Sequence, residues 1–308
     1  MTELPSVDVI ITAANAATSI GAAIEAVTAQ GYPNLGTIVV ASFDDETAEI
    51  ARRHGAAVVS NPSGLTPTGL NLALAATTAE IVARVDAHST LPVGYLERAV
   101  DTLLRTGAEN VGGMQIPIGT GGWEKAIGAA MASRFGAGDA KHRVGGGAGP
   151  VDTVYLGVFR RATLERLGGY DETFQRNQDY ELNHRIRESG GTVWFDPELR
   201  VEYRPRGSLA ALARQYFQYG LWKREFGRRH PGSMRWRQMA PPLLVGLLAS
   251  TLVAGFWWAA AWVVPLGYLG ALLLIGLSKL PRLGLHALGV PAALATMHLS
   301  WGLGFLRG

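Results

Sequence analysis

Through the first two hundred residues, short apolar runs alternate with helical stripes. Val7 to Ala14 is rich in β-branched residues, and such a continuous run reads as a buried parallel strand. From Ser19 to Gln30 the period becomes helical, with Ile20, Ile24 and Val27 on one side, and Gly31-Tyr32-Pro33-Asn34 stops it. The pattern then predicts a strand over 37–41, a helix from Thr47 through Arg53, a strand over 56–59 and, after a loop at 61–64, a helix over 68–77. Ile81-Val82-Ala83-Arg84-Val85-Asp86-Ala87-His88-Ser89 begins as a buried strand, and a helix over 94–106 and a strand over 110–115 follow. A strand over 152–159, a short helix over 160–167, a helix opening near Asn177 and a strand over 192–195, ending at Asp196-Pro197, complete the alternation. Such alternation implies βαβ units and a parallel sheet covered on both faces. Gly119 to Gly122 and Gly136 to Pro150 are glycine-rich. They read either as loose connections or as a mobile lid that offers Lys141, His142 and Arg143 to a phosphate.

The pattern changes after Ser208. A helix over 208–226 lines up Leu209, Leu212, Tyr216, Tyr219 and Trp222 and carries Arg214, Lys223 and Arg224. An aromatic and cationic amphipathic helix suits the plane of a membrane interface, a soluble core helix being the alternative. No charged residue lies between Gln238 and Lys279. The apolar stretch from Met239 to Leu277 is too long for one ordinary span and just long enough for two of ~20 residues, so it predicts a tight hairpin, 241–258 and 260–277. Lys279 and Arg282 then mark a return to the cytoplasmic side. Gly284 to Phe305, with His286 and His298, is a third apolar segment. Three spans would leave Arg307-Gly308 outside, unless Pro265, Pro291 and the glycines make one segment re-entrant or interfacial. The expected division is a cytoplasmic catalytic domain over 1–206, basic amphipathic interface helices over 207–238 and a membrane domain over 239–308.

Composition sharpens this division. The chain of 308 residues is 48% hydrophobic and 17% charged, and the excess apolar content lies in the tail. Its net charge of +3 hides a basic block. Arg200, Arg204, Arg206, Arg214, Lys223, Arg224, Arg228, Arg229, Arg235 and Arg237 face only Glu202 and Glu225. Beside an apolar tail, such a block reads as a surface for membrane lipid on the cytoplasmic side. No nucleic-acid-binding motif accompanies it, so nucleic acid is not an expected partner. With no cysteine, disulfides and thiolate metal sites are excluded. Met1 to Asp8 lacks a signal-peptide pattern, which places the N-terminal domain in the cytosol of a multi-pass protein of the inner, cytoplasmic membrane.

In parallel sheets, ligands sit beyond the carboxyl ends of strands. Asn15, Asp44-Asp45 and Asp86-His88 each follow a strand, so all three should border one crevice. If the chain stays extended past Asp86, that carboxylate and the His88 imidazole point to one side and can converge on a divalent cation or a phosphate. Hard oxygen beside borderline nitrogen suits Mn²⁺ or Mg²⁺ next to diphosphate. Otherwise Asp86 caps the turn before Leu91-Pro92 and His88 is merely exposed. Asp179 and Asn183 stand at i and i+4 on a helix. Asp179 could cap that helix, worth about 1 kcal/mol, or act as a general base at the crevice mouth.

These residues resemble a known family. Asn61-Pro62, Thr66-Pro67, Gly69-Leu70-Asn71, Arg84-Val85-Asp86-Ala87-His88, Arg176-Asn177-Gln178-Asp179-Tyr180-Glu181-Leu182-Asn183, Arg214-Gln215-Tyr216-Phe217-Gln218-Tyr219-Gly220 and the closing His298-Leu299-Ser300-Trp301-Gly302 carry the likeness. Together they are similar to the inverting family 2 glycosyltransferases, and within them to the ExoA-type succinoglycan glucosyltransferase branch. The resemblance implies a GT-A fold, a Rossmann-like mixed α/β sheet with helices on both faces. It implies a divalent metal (Mn²⁺ or Mg²⁺) held by Asp86 and His88, and Asp179 as the base. A nucleotide-diphosphate sugar, for which UDP-glucose is the example this branch suggests, would be bound by Ala13, Asn15, Asp44, Asp45, Asn71, Arg84, Asp86 and Gly113. Gln178, Arg214, Gln215, Gln218 and Trp222 would lie near a polyprenyl-linked acceptor. The family's acidic pair after the second strand reads Ala41-Ser42 here, and its Gln-x-x-Arg-Trp motif reads Gln215-Tyr216-Phe217-Gln218-Tyr219. The implied function is transfer of a hexose to a lipid-linked saccharide in cell-surface polysaccharide synthesis. A polyprenyl-phosphate hexose synthase and a non-catalytic membrane scaffold with the same fold are the alternatives.

Overall fold

Val9 and Ile11 point to one face of the first strand and Ile10 to the other, and all three are fully buried. That alternation is what a strand covered on both sides requires. The computed structural model describes residues 4–308. In chain order the elements are β1 (Val7–Ala13), α1 (Ile20–Thr28), β2 (Leu35–Ser42), α2 (Asp45–Arg53), β3 (Ala57–Ser60), α3 (Thr66–Ala75), β4 (Ile81–Asp86), α4 (Tyr95–Thr106) and β5 (Asn110–Pro117). Then come α5 (Gly122–Met131), α6 (Arg134–Ala137), α7 (Lys141–Val144), β6 (Gly149–Pro150), β7 (Tyr155–Arg160), α8 (Arg161–Arg166), α9 (Gln178–Glu188) and β8 (Val193–Tyr203). The remainder is helical: α10 (Leu209–Arg229), α11 (Trp236–Ala254), a 3₁₀ turn at Ala259–Trp262, α12 (Val263–Ser278), α13 (Leu280–Leu283), a 3₁₀ stretch at Gly284–Gly289 and α14 (Val290–Arg307).

These elements form two compact units. One comprises the chain up to Ile116 together with Gly145–Tyr203, the other Pro117–Val144 with Arg204–Gly308. The segment 117–144, expected within the N-terminal domain, clusters instead with the C-terminal helices.

The first unit is built on an eight-stranded sheet of order β3-β2-β1-β4-β7-β5-β8-β6. β1 to β4 are parallel, while β7 runs antiparallel to both β4 and β5, so the sheet is mixed. On one face Val9, Ile11 and Val40 meet Ile20, Ile24 and Val27 of α1 and Leu96, Val100 and Leu103 of α4. On the other, Ile10 and Val39 meet Leu70 and Leu74 of α3 and Leu182 and Ile186 of α9. Chain order reverses about β1, which has β2 on one side and β4 on the other. A crevice opens at such a switch point, beyond the carboxyl ends of the strands. β8 continues through Asp196-Pro197 to Tyr203, past the predicted stop. Its neighbour β6 pairs only with Trp194 and Phe195, so Pro197 sits where that edge is open and a missing N–H is tolerated.

The glycine-rich segments carry regular structure rather than a continuous loop, α5 beginning at Gly122 and α7 and β6 lying within 136–150. α5 buries Ala126, Ile127, Ala130 and Met131, and Gly289 lies so close to Ala126 that a Cβ there would sit 2.9 Å from its Cβ. Three helical stretches, Trp236–Ala254, Ala259–Ser278 and Leu280–Arg307, are long and apolar enough to cross a membrane.

Candidate active site

Arg84 is the single charged residue of the apolar run Ile81–Val85, and its side chain is buried. A buried cation must be paired to be tolerated. Nη2 donates to Asp86 Oδ1 at 2.9 Å, and Nη1 donates to Asp179 Oδ1. Asp179 is the second residue of α9, and the chain enters that helix through Asn177 in the left-handed region (φ 63°). Burial alone would lower the Arg84 pKa, but the Asp179 and then the Asp86 carboxylates overcome it and the pKa is raised. Its Nε has no partner among the described residues.

Two tyrosines complete the cluster. Tyr155 OH donates to Asp86 Oδ2 at 3.3 Å and lies 3.1 Å from Ser89 Oγ. Burial first, then the Asp86 charge, pushes its pKa up, so it remains a neutral donor. Tyr170 is likewise buried and raised by burial, with the Arg84 cation opposing; its hydroxyl has no partner among the described residues. Neither tyrosine was singled out from the sequence. The legible signal was Arg84 itself, a cation in a buried strand that had to find polar company.

The strand-end geometry differs from the expectation at one point. β4 ends at Asp86, and Ser89 N donates to the Asp86 carbonyl at 2.9 Å, so the chain turns at once. The two-residue alternation that would align Asp86 with His88 therefore does not operate. Asp86 is half-buried and bonded as above, and His88 is exposed. Among the described residues no group of three or more His, Asp or Glu forms a metal cluster.

The other strand ends do meet. Thr12 is in register with Asp86, and Ala13, buried at the end of β1, is in register with Ser42. Asn15, at φ 52°, donates its backbone N–H to Asp44 Oδ2 at 2.8 Å, while Asp44 Oδ1 accepts from Thr47 N at 2.8 Å and caps α2. These bonds outweigh burial and hold the Asp44 carboxyl below its ordinary range. Asp44 is thus occupied in joining two strand ends, and Asp45 is the exposed carboxylate beside it. Asn71 clamps the turn before α9: Nδ2 donates to the Tyr170 carbonyl and to Glu172 Oε1, both at 2.9 Å, and Oδ1 accepts from Tyr170 N at 2.8 Å. Gly113, expected at the nucleotide, is buried in β5 where a Cβ would collide with the Leu199 carbonyl, and that packing accounts for the glycine. Asn183 does not share an open face with Asp179. It is buried, bonded to Asn110 at 2.6 Å and to Thr153 at 3.0 Å. Gln178 is buried at the first position of α9. Arg214, Gln215, Gln218 and Trp222 belong to α10 in the second unit, where Arg214 and Gln218 are exposed and Gln215 donates to Tyr219 OH at 2.9 Å.

The sequence model of Glycosyl transferase family 2 matches residues 8–168, a stretch that contains Arg84, Asp86, His88 and Tyr155. The chain is also 33% identical to the succinoglycan biosynthesis protein ExoA of Rhizobium meliloti, over 97% of this chain and 93% of that one. The chain belongs to glycosyl transferase family 2. An uncharacterized glycosyltransferase of Mycobacterium tuberculosis is 32% identical over 65% of this chain and 86% of its own. Among solved structures, the mannosyltransferase PcManGT from Pyrobaculum calidifontis, determined in complex with GDP-Man and Mn²⁺, superimposes with a TM-score of 0.66 at 20% identity, covering 97% of this chain and 88% of that one. Mannosyl-3-phosphoglycerate synthase from Rubrobacter xylanophilus gives 0.51 at 19% identity, over 75% and 77%. These likenesses establish the GT-A fold of this family 2 glycosyltransferase. Asp179 lies beyond the family match, in the region the ExoA alignment spans.

Proposed function

We propose that this glycosyltransferase is an inverting, metal-dependent hexosyltransferase, anchored in the cytoplasmic membrane by its C-terminal helices with the catalytic unit on the cytoplasmic side. It moves a hexose from a nucleotide-diphosphate sugar, glucose from UDP-glucose being the first candidate, to a lipid-linked saccharide during polysaccharide assembly. The observation that carries this reading is the Arg84 bridge, which ties the carboxylate at the strand-end crevice to the carboxylate at the start of α9. The name of ExoA supports the polysaccharide context, and the ligands of PcManGT support the donor class and a divalent cation.

Asp179 accepts the proton of the acceptor hydroxyl as its oxygen attacks the anomeric carbon. The bond from that carbon to the diphosphate oxygen breaks on the opposite face, its electron pair leaving with the nucleoside diphosphate, so one displacement inverts the centre. Arg84 holds Asp179 in place through their ion pair before the proton arrives. Asp86 would hold Mn²⁺ or Mg²⁺, joined by the exposed His88 in the turn that follows it, and the ion would take its remaining ligands from phosphate oxygens. When bound, the ion offsets negative charge on the leaving diphosphate.

The test is Asp179→Asn in detergent or nanodiscs, with defined lipid acceptors and products resolved by mass. Transfer should fall by about 10²–10⁴-fold, the usual worth of a general base, while the donor dissociation constant stays within twofold. Unchanged turnover removes Asp179 as the base. Glycosylation of polyprenyl monophosphate alone would make the enzyme a polyprenyl-phosphate hexose synthase instead, and wild-type inactivity with every donor would favour a scaffold.

A further inference from the structure

α10 turns Leu212, Tyr216, Gly220 and Phe226 inward and shows Arg214, Gln218, Arg224, Arg228 and Arg229 outward. α14 lies along it at backbone contact. A Cβ on Gly304 would collide with the Phe217 carbonyl and one on Gly220 with the Trp301 carbonyl, while one on Gly308 would sit 3.0 Å from the Leu221 carbonyl. The contacts advance together, 217 with 304 and 221 with 308, so the two helices run parallel. Cation–π contacts reinforce the pairing: the Arg224 guanidinium lies 5.4 Å from the Phe305 ring centre, and that of Arg307 lies 5.9 Å from Phe217. Although α14 qualifies as a span by length and composition, it cannot enter hydrocarbon without drawing the outward arginines of α10 in with it. Charges in that position are expensive.

The α11–α12 hairpin packs on α14, where a Cβ on Gly302 would sit 2.6 Å from the Pro241 carbonyl and Tyr268 OH lies 3.0 Å from His298 Nδ1, but it carries no charged helix of its own into the lipid. From Gln238 to Ser278 there is no charged residue, and Leu243, Leu247, Leu266, Leu273 and Leu274 are exposed along its length. Its tip presents Phe256, Trp257, Trp258 and Trp262, with Trp257 83% exposed, and its base carries Arg235, Arg237, Lys279 and Arg282. Aromatics at one end and cations at the other are the interface anchors of an inserted hairpin. Stretches of 19 and 20 residues rise about 28–30 Å, the thickness of the hydrocarbon core.

We propose that only the α11–α12 hairpin enters the bilayer. α14 stays beside α10 at the membrane surface, its exposed Leu299, Leu303 and Leu306 against the lipid, and the C-terminus lies on the same side as the 230–235 connection. The proposal rests on the membrane-anchoring reading and changes its topology from three crossings to two.

The cysteine-free chain allows single-cysteine labelling with an impermeant maleimide in right-side-out and inverted vesicles. Pro231→Cys and Gly308→Cys should label in the same vesicle orientation, and Trp258→Cys in the opposite one. Gly308→Cys labelling together with Trp258→Cys would overturn the two-crossing topology while leaving anchoring intact. A second pair of variants is read by alkaline carbonate extraction. Leu303→Lys should stay in the membrane fraction at wild-type yield, and Leu269→Lys in α12 should be depleted from it several-fold. Depletion of Leu303→Lys to the same extent would also overturn the proposal, whereas release of the wild-type chain would remove the anchoring reading itself.

Discussion

Arg84 shows how one side chain can organise a site that no local motif describes. Its guanidinium serves two carboxylates at once from a rigid planar fork, a fixed geometry that a rotatable ammonium does not supply. Arg84→Gln should therefore lower the turnover number by more than tenfold and leave donor affinity within about threefold, because in the structure Arg84 contacts carboxylates rather than facing the crevice alone. Arg84→Lys should fall between wild type and Arg84→Gln. Both partners retain solvent, with Asp86 and Asp179 side chains 19% and 39% exposed. The stability loss for Arg84→Gln should accordingly be about 2 kcal/mol, below the 3–5 kcal/mol of a fully buried broken pair, measurable by urea denaturation. A donor affinity that collapses while the turnover number holds would instead make Arg84 a direct ligand of the donor. The sequence made half of this legible. An arginine inside Ile81–Val85 had to be paired, and Asp86 stood two residues away, but Asp179 is 95 positions distant and only the fold brings it in.

Among the elements, legibility followed hydrophobic period. β1, α1, β4 and α4 have strong patterns and were readable to within a residue or two, whereas α5 was hidden between glycine clusters and β8 behind Pro197. The continuation of β8 has a polar anchor. Asp196, buried, accepts from Arg98 Nε at 2.9 Å and Nη2 at 3.1 Å, from Thr102 Oγ1 at 3.0 Å and from Glu198 N at 3.0 Å. Burial pushes its pKa up, but these donors prevail and the folded value is lowered. A depressed aspartate contributes stability above its unfolded pKa and loses it as pH falls through the folded one. Asp196→Asn should cost roughly 2 kcal/mol at neutral pH and flatten the acid side of the stability curve, which melting temperatures between pH 3 and pH 7 (about the range in which carboxylates and His titrate) would show. Helix pairing has its own requirement. Gly304→Val places side-chain atoms where α10 backbone lies, and overpacking of this kind costs about 1–3 kcal/mol or more. Its melting temperature in detergent should drop, whereas the same change at Gly267, whose Cβ would meet nothing within 4 Å, should be neutral.

On the scale of the whole molecule, sequence order and structural units do not coincide. Residues 117–144 interrupt the sheet-bearing unit in the chain and belong by packing to the helical one. Physical reasons are visible in α5 and its neighbours. Gly128 faces Pro205, with a Cβ there 3.3 Å from its Cγ, and Gly289 leaves room for Trp123, which a Cβ would approach at 3.1 Å. Asp139 pairs with Arg237 at 2.7 Å, and the Phe135 carbonyl lies 2.8 Å from His298 Nε2. A chain cut after Arg206, as a continuous N-terminal domain would suggest, keeps α5 and removes most of what covers Ala126, Ile127 and Met131. That fragment should aggregate or bind hydrophobic dyes despite an intact sheet. Replacing 117–144 in it by a short Gly/Ser linker should restore a monodisperse protein, since the sheet unit keeps both of its cores and the Arg84 cluster. Size-exclusion chromatography of the two fragments decides the point: a soluble, monomeric 1–206 fragment would mean that α5 can be sheltered without the C-terminal helices.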